Sequence, residues 1–170
     1  MTLRRFATIG AMTDSHGGAT TSTDVAGTAS PAAGAGATPV TSISVLLFSD
    51  DSATRDAVRL AVGRRPARDV EVASWLECAT PAGVTAAVEN TRFDVLILDG
   101  EASPIGGLGL AKQLKNEIFE CPPILVLTGR PQDGWLAAWS QADLAVPHPL
   151  DPIALTRAVA ELGRRASTTA

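Results

Sequence analysis

The chain has 170 residues, 45% apolar and 19% charged, which suits one globular domain and leaves little room for a second. Fourteen Lys and Arg against 18 Asp and Glu give a net charge of −4, without the basic excess of a nucleic-acid or anionic-membrane binder. Cys78 and Cys121 stand far apart with no ligand spacing around them, which supports neither a disulfide framework nor a structural zinc site, and no apolar run reaches the roughly 18 residues of a membrane-spanning helix. The expectation is a soluble, cytoplasmic protein that neither inserts into a membrane nor binds nucleic acid directly.

Residues 1–41 differ in composition from the rest of the chain: 29 of them are Ala, Gly, Thr, Ser or Pro. So few large apolar side chains cannot offset the entropy of ordering, and the segment is expected to be a disordered tail in which His16 is inert. Its basic start is followed by no convincing apolar core of a secretory signal, and Met12 offers a second start. Residues 42–165 are expected to form the folded domain, and 166–170 a short tail.

From Ile43 onward strands and helices alternate. The apolar runs Ile43–Phe48, Phe93–Leu98 and Ile124–Leu127 have the composition of strands buried on both faces of a parallel sheet. Val70–Trp75 carries charge and Leu144–Val146 is short, as edge strands often are. Between them, Ser52–Gly63 shows a helical stripe with Arg55, Asp56 and Arg59 turned away from it. Thr80 and Pro81 cap and open a second helix. Leu108, Ala111, Leu114 and Ile118 mark a third, and Gly134–Ser140 a short fourth. The last opens at Asp151-Pro152 and meets Gly163 at its end. Right-handed crossovers then predict an α/β, doubly wound five-stranded parallel sheet of order 2-1-3-4-5 with helices on both faces.

Ligands of such sheets collect at the carboxyl ends of the strands, near the switch between strands one and three. Strand one ends in Ser49-Asp50-Asp51 and strand three in Asp99, with Glu101 two residues on. Asp50 and Asp99 are expected to face each other across one crevice, where their charges repel unless a hard cation such as Mg²⁺ neutralises them. Asp51 is open to two readings, helix cap or additional ligand. Strand four ends in Thr128-Gly129, and strand five runs into His148-Pro149, whose X-Pro bond can be cis. Acidic groups, a hydroxyl and a nitrogen base together suit formation of an acyl phosphate.

With LLFSDD, DVLILDG, ILVLTG and HPLDPIAL in register, the stretch from Ile43 to Arg165 resembles the response-regulator receiver domain of bacterial two-component signalling. The resemblance implies Asp99 as phosphoacceptor, Asp50, Asp99 and the backbone carbonyl of Glu101 as a weak Mg²⁺ site with Asp51 as a further candidate, and Thr128 as the switch hydroxyl. It implies a sensor histidine kinase or phosphotransfer protein as the phosphoryl source. Three positions depart from the pattern. Ser49 stands where the family has the first acid of its pair, His148 where it has lysine, and Ala145 where it has an aromatic switch residue. A histidine is largely neutral at physiological pH and lacks the full charge of lysine.

No output domain is expected after Arg165, and the expected function is that of a single-domain regulator signalling through protein contacts, in a phosphorelay that uses Asp99. The alternative is a phosphorylation-independent pseudo-receiver, an adaptor or accessory subunit of a larger and conceivably membrane-bound assembly. An enzyme reading, in which Asp99 and Glu101 form a phosphatase pair of the haloacid-dehalogenase type, fails on the place of the pair after strand three. A flavin module lacks a phosphate-cradling loop after strand one. Trp135 and Trp139, at i and i+4, are expected to pack in the core by a narrow margin, because buried aromatics outnumber surface anchors. Exposed, they would be the partner-binding residues. Trp75 is expected to be structural.

Overall fold

The computed structural model describes residues 39–169; most of the segment expected to be a tail, His16 included, lies outside the described residues. In chain order the elements are β1 (Thr41–Phe48), α1 (Ser52–Val62), β2 (Val70–Cys78), α2 (Pro81–Asn90), β3 (Val95–Asp99), α3 (Gly107–Glu117), β4 (Ile124–Thr128), a 3₁₀ turn (Pro131–Asp133), α4 (Gly134–Ser140), β5 (Leu144–Pro147) and α5 (Pro152–Thr169). All five strands are parallel and run in the order β2-β1-β3-β4-β5, as the alternation predicts.

The two-residue period of the strands divides the core between the faces of the sheet. Val45, Leu47, Val95, Ile97, Leu125 and Leu127 meet Val58 and Val62 of α1 and Leu155, Val159 and Leu162 of α5. Leu46, Phe48, Leu96, Leu98, Ile124 and Val126 meet Val84 of α2, Leu110, Ala111 and Leu114 of α3, and Ala137 of α4. Every residue of β3 and β4 is buried. At roughly 1.5–3 kcal/mol for each large apolar side chain removed from water, this two-sided burial fixes the central strands in register.

The predicted caps are present. Thr80 Oγ1 accepts from the Gly83 amide at 3.2 Å, and the Asp151 carboxylate accepts from the Ile153 amide at 2.9 Å. Strand β2 extends three residues beyond the expected Trp75, and Trp75 packs partly buried against the α1/α5 side of the core. The charges on this edge strand are paired: Glu71 with Arg64 and Arg65, Glu77 with Arg55 and Arg59. Cys78 and Cys121 are free thiols, and burial pushes both above the usual thiol range.

Two sequence expectations at the C-terminus need correction. Gly163 does not end the last helix; α5 continues through Thr169, so residues 166–169 are helical rather than a tail. A Cβ at Gly163 would stand 3.1 Å from Cδ1 and Cγ2 of Ile43 and 3.4 Å from Val70, so the glycine lets α5 lie close on β1 and β2.

Beyond that contact, Arg164 makes a two-pronged bond to Asp69, at 2.6 and 2.8 Å, tying α5 to the turn before β2. The Arg164 guanidinium holds the Asp69 carboxyl at about 2, against an ordinary value of 3.8. A carboxyl depressed by folding contributes stability above its unfolded value and loses it as pH falls through its folded value. Asp69→Asn is therefore expected to lower the melting temperature slightly at pH 7. That gap narrows below about pH 4 and closes near pH 2, as thermal melts across the acid range would show.

Candidate functional site

Strand register carries the candidate residues to one edge of the sheet. Phe48 lies beside Leu98, so the next residues, Ser49 and Asp99, are neighbours at the carboxyl ends of β1 and β3. Asp99 pairs in turn with Leu127, and Thr128 with Pro147, which brings Thr128 and the His148 backbone into the same row. The His148 amide donates to the Thr128 carbonyl at 2.7 Å, and the His148–Pro149 bond is cis.

Asp99 is the centre of the row. Only 4% of it is exposed, yet both carboxylate oxygens are satisfied: Oδ2 accepts from the Ser49 hydroxyl at 2.7 Å and Oδ1 from the Glu101 amide at 3.0 Å. Ser49 is fully buried, and its oxygen accepts from the Asp51 amide at 3.1 Å. A chain of hydrogen bonds therefore runs from the start of α1 through Ser49 to Asp99. Thr128, also buried, donates its hydroxyl to the Arg130 carbonyl at 3.3 Å.

The other carboxylates sit differently from one another. The side chain of the β1 end that hydrogen-bonds Asp99 is Ser49. Asp50 is exposed, one residue further out, and its Oδ2 accepts from the Ser103 amide of the β3–α3 loop at 3.2 Å. Asp51 caps α1, accepting from the amides of Ala53 and Thr54 and from the Thr54 hydroxyl at 2.9–3.2 Å. The Ala53 amide and then the Thr54 hydroxyl hold its carboxyl below the ordinary range. Of its two readings, the structure shows the cap. The Glu101 side chain lies over Gly129, where a Cβ would come within 2.5 Å of its Oε1; the small residue after Thr128 makes room for that carboxylate.

The sequence reading missed Arg55. Expected to turn away, its guanidinium instead donates to the Ser49 carbonyl at 2.6 Å and to Glu77 at 3.1 Å, with 17% of the side chain exposed. It lies one turn after the Asp51 cap, and that i+4 spacing places it over the strand ends. A fixed positive charge thus adjoins the row one peptide away from Asp99's partner.

Trp135 and Trp139 are not core residues: 67% and 52% of them are exposed. The inner face of α4 is made by the buried Ala137 and Ser140. Ala137 lies two residues, about 200° of helix rotation, from each tryptophan, so burying it against β4 and α3 turns both rings outward. Lys112 of α3 donates to the Trp139 carbonyl at 3.0 Å, and its Nζ stands 4.9 Å from the centre of the Trp139 ring.

Among the described residues no group of three or more His, Cys, Asp or Glu side chains converges as a metal site, and no helix is long and apolar enough to cross a membrane. The donors that remain for a hard cation are the Asp50 and Asp99 carboxylates and the Glu101 carbonyl. That set fits a largely hydrated ion held by oxygen.

No protein-family model matches the chain. The fold is similar to that of solved receiver domains: a Francisella response-regulator receiver domain, with TM-score 0.61 and 16% identity over 72% of this chain and 98% of that one, and a chemotaxis response regulator of Vibrio cholerae, with TM-score 0.59 and 22% identity over 72% and 99%. Curated response regulatory proteins from two strains of Mycobacterium tuberculosis are each 51% identical over 124 residues, 73% of this chain and 93% of theirs. With Asp99 at the end of β3 in a 2-1-3-4-5 sheet and relatives of that identity, the chain belongs to the response regulators, and residues 39–169 form a receiver domain.

Proposed function

We propose that the chain accepts a phosphoryl group on Asp99 and signals through protein contacts of the receiver itself. The supporting observation is the Asp99 carboxylate, buried yet held at a strand end by two directed hydrogen bonds, from Ser49 and Glu101. One carboxylate oxygen attacks phosphorus, the bond from phosphorus to the donor breaks, and the donor leaves with that electron pair. The product is an acyl phosphate. A sensor histidine kinase or a phosphotransfer protein is the donor. Thr128 supplies a hydroxyl beside the row and His148 an imidazole nitrogen for the phosphoryl oxygens.

Mg²⁺, when bound, offsets the charge of the transferring group. Asp50, Asp99 and the Glu101 carbonyl would hold it. Ser49 contributes a hydroxyl where a second strand-end carboxylate would add charge, so the ion is held weakly. Trp135 and Trp139 offer apolar area for the outgoing contact.

Incubation with a small phosphodonor and Mg²⁺, followed by intact-mass spectrometry, is expected to add one phosphoryl group to the wild type and none to Asp99→Asn. An unlabelled wild type, under conditions that label an ordinary receiver, would overturn the phosphoacceptor role and leave the adaptor reading.

Two substitutions separate the neighbouring carboxylates. Asp51→Ala should lower the denaturant midpoint of unfolding through loss of the α1 cap, with Mg²⁺ affinity unchanged in calorimetric titration. Ser49→Asp should tighten Mg²⁺ binding about tenfold in the same titration, since it adds one carboxylate to the donor set.

A further inference from the structure

We infer that Arg55 is a positioning residue for the phosphoacceptor: its guanidinium fixes the Ser49 peptide, and through that peptide the Ser49 hydroxyl on Asp99. This role rests on the reading of Asp99 as the group that takes up phosphorus. Ser49 follows the last residue of β1 and is fully buried, so each of its polar groups needs a partner inside the protein. Its amide donates to the Cys78 carbonyl at 3.2 Å, its hydroxyl donates to Asp99 at 2.7 Å, and its carbonyl accepts from Arg55 Nη1 at 2.6 Å. The carbonyl bond is the shortest of the three and comes from a charged donor. It also acts beyond Ser49. The same carbonyl belongs to the planar peptide that leads into Asp50, so pinning it sets the direction from which the Asp50 carboxylate meets the Ser103 amide.

Arg55 is itself held from the other side. Only 17% of its side chain is exposed, and its Nε donates to Glu77, next to the last residue of β2, at 3.1 Å. Glu77 accepts in turn from Arg59, one helical turn further along α1, at 2.6 Å. A planar guanidinium can donate from two nitrogens at once, here to a carbonyl at the end of β1 and a carboxylate on β2, which a lysine ammonium at the same place would not match. The two arginines separate two roles. Both pair with Glu77, and of the two Arg55 also reaches Ser49. Loss of Arg59 therefore removes an ion pair of similar exposure class to the helix surface, whereas loss of Arg55 also frees the peptide that aims the Ser49 hydroxyl.

Labelling time courses on the full chain, with a small phosphodonor and Mg²⁺ and read by intact mass, test the role together with amide hydrogen exchange of the unlabelled protein followed by NMR. Arg55→Met is expected to lower the labelling rate at saturating donor about tenfold and to leave the donor concentration for half-maximal rate unchanged, because Arg55 acts through Ser49. Arg55→Lys keeps the charge but not the fork, and should label about threefold more slowly than the wild type. Arg59→Met should label within about twofold of the wild type, as loss of a surface ion pair alone predicts. Exchange of the Asp51 and Glu101 amides, which donate to Ser49 and Asp99, should quicken about tenfold in Arg55→Met and stay at the wild-type rate in Arg59→Met. An Arg55→Met protein that labels or exchanges like Arg59→Met overturns the positioning role. Exchange quickened evenly along the chain overturns it too, since that marks a general loss of stability; if Arg55→Met does not fold, Arg55→Lys carries the same comparison. A wild type that takes no label overturns the phosphoacceptor reading, and the exchange rates then decide separately whether Arg55 holds Ser49 in place.

Discussion

The 2.7 Å hydrogen bond from the Ser49 hydroxyl to Asp99 organises this molecule. A carboxylate that is 4% exposed is costly to keep ionised unless directed donors replace the water it has lost. Here the donors come from two directions, a side chain at the end of β1 and the backbone of the loop after β3. Both depend on the sheet: were β1 and β3 shifted by one residue, Ser49 would no longer stand beside Asp99, and alternate side chains of the strand would exchange faces. Two-sided burial of the central strands thus has a chemical consequence at their ends.

Around that bond the charges are arranged by distance from the core. The buried position next to Asp99 is a neutral hydroxyl, and the carboxylates lie further out. Asp50 is bound to the Ser103 amide, Asp51 is turned into the cap of α1, and Glu101 lies over Gly129. Arg55 holds the carbonyl of the same serine and brings a permanent positive charge close to the row. The site therefore combines one well-held buried carboxylate with few other buried charges.

The exposure of Trp135 and Trp139 follows from a packing constraint of the same kind. Helix α4 has seven residues, and its contact with the sheet and α3 is made by Ala137 and Ser140. Small inner residues bring the helix close, and the tryptophans two positions away must then face water or another protein. The same close packing brings Lys112 of α3 against Trp139, so one cation is anchored to the exposed pair.

Alternating apolar runs were enough to determine the five strands, their order and the caps at Thr80 and Asp151, because periodicity and capping are local properties that a chain carries wherever it folds. The alternation also placed Asp99 and Thr128 at strand ends, since position after a buried run is a matter of counting. It did not reveal that Gly163 lies inside α5, because a glycine that ends a helix and one that lets it approach a sheet read alike until Ile43 is in place. Nor did it show which side of α4 is inward, that Ser49 hydrogen-bonds Asp99, or that Arg55 reaches back to Ser49. The first and last depend on the direction of a side chain after packing, and the Ser49–Asp99 contact joins residues 50 positions apart. Sequence spacing constrains such contacts only once strand register and helix rotation have been fixed by burial of the core.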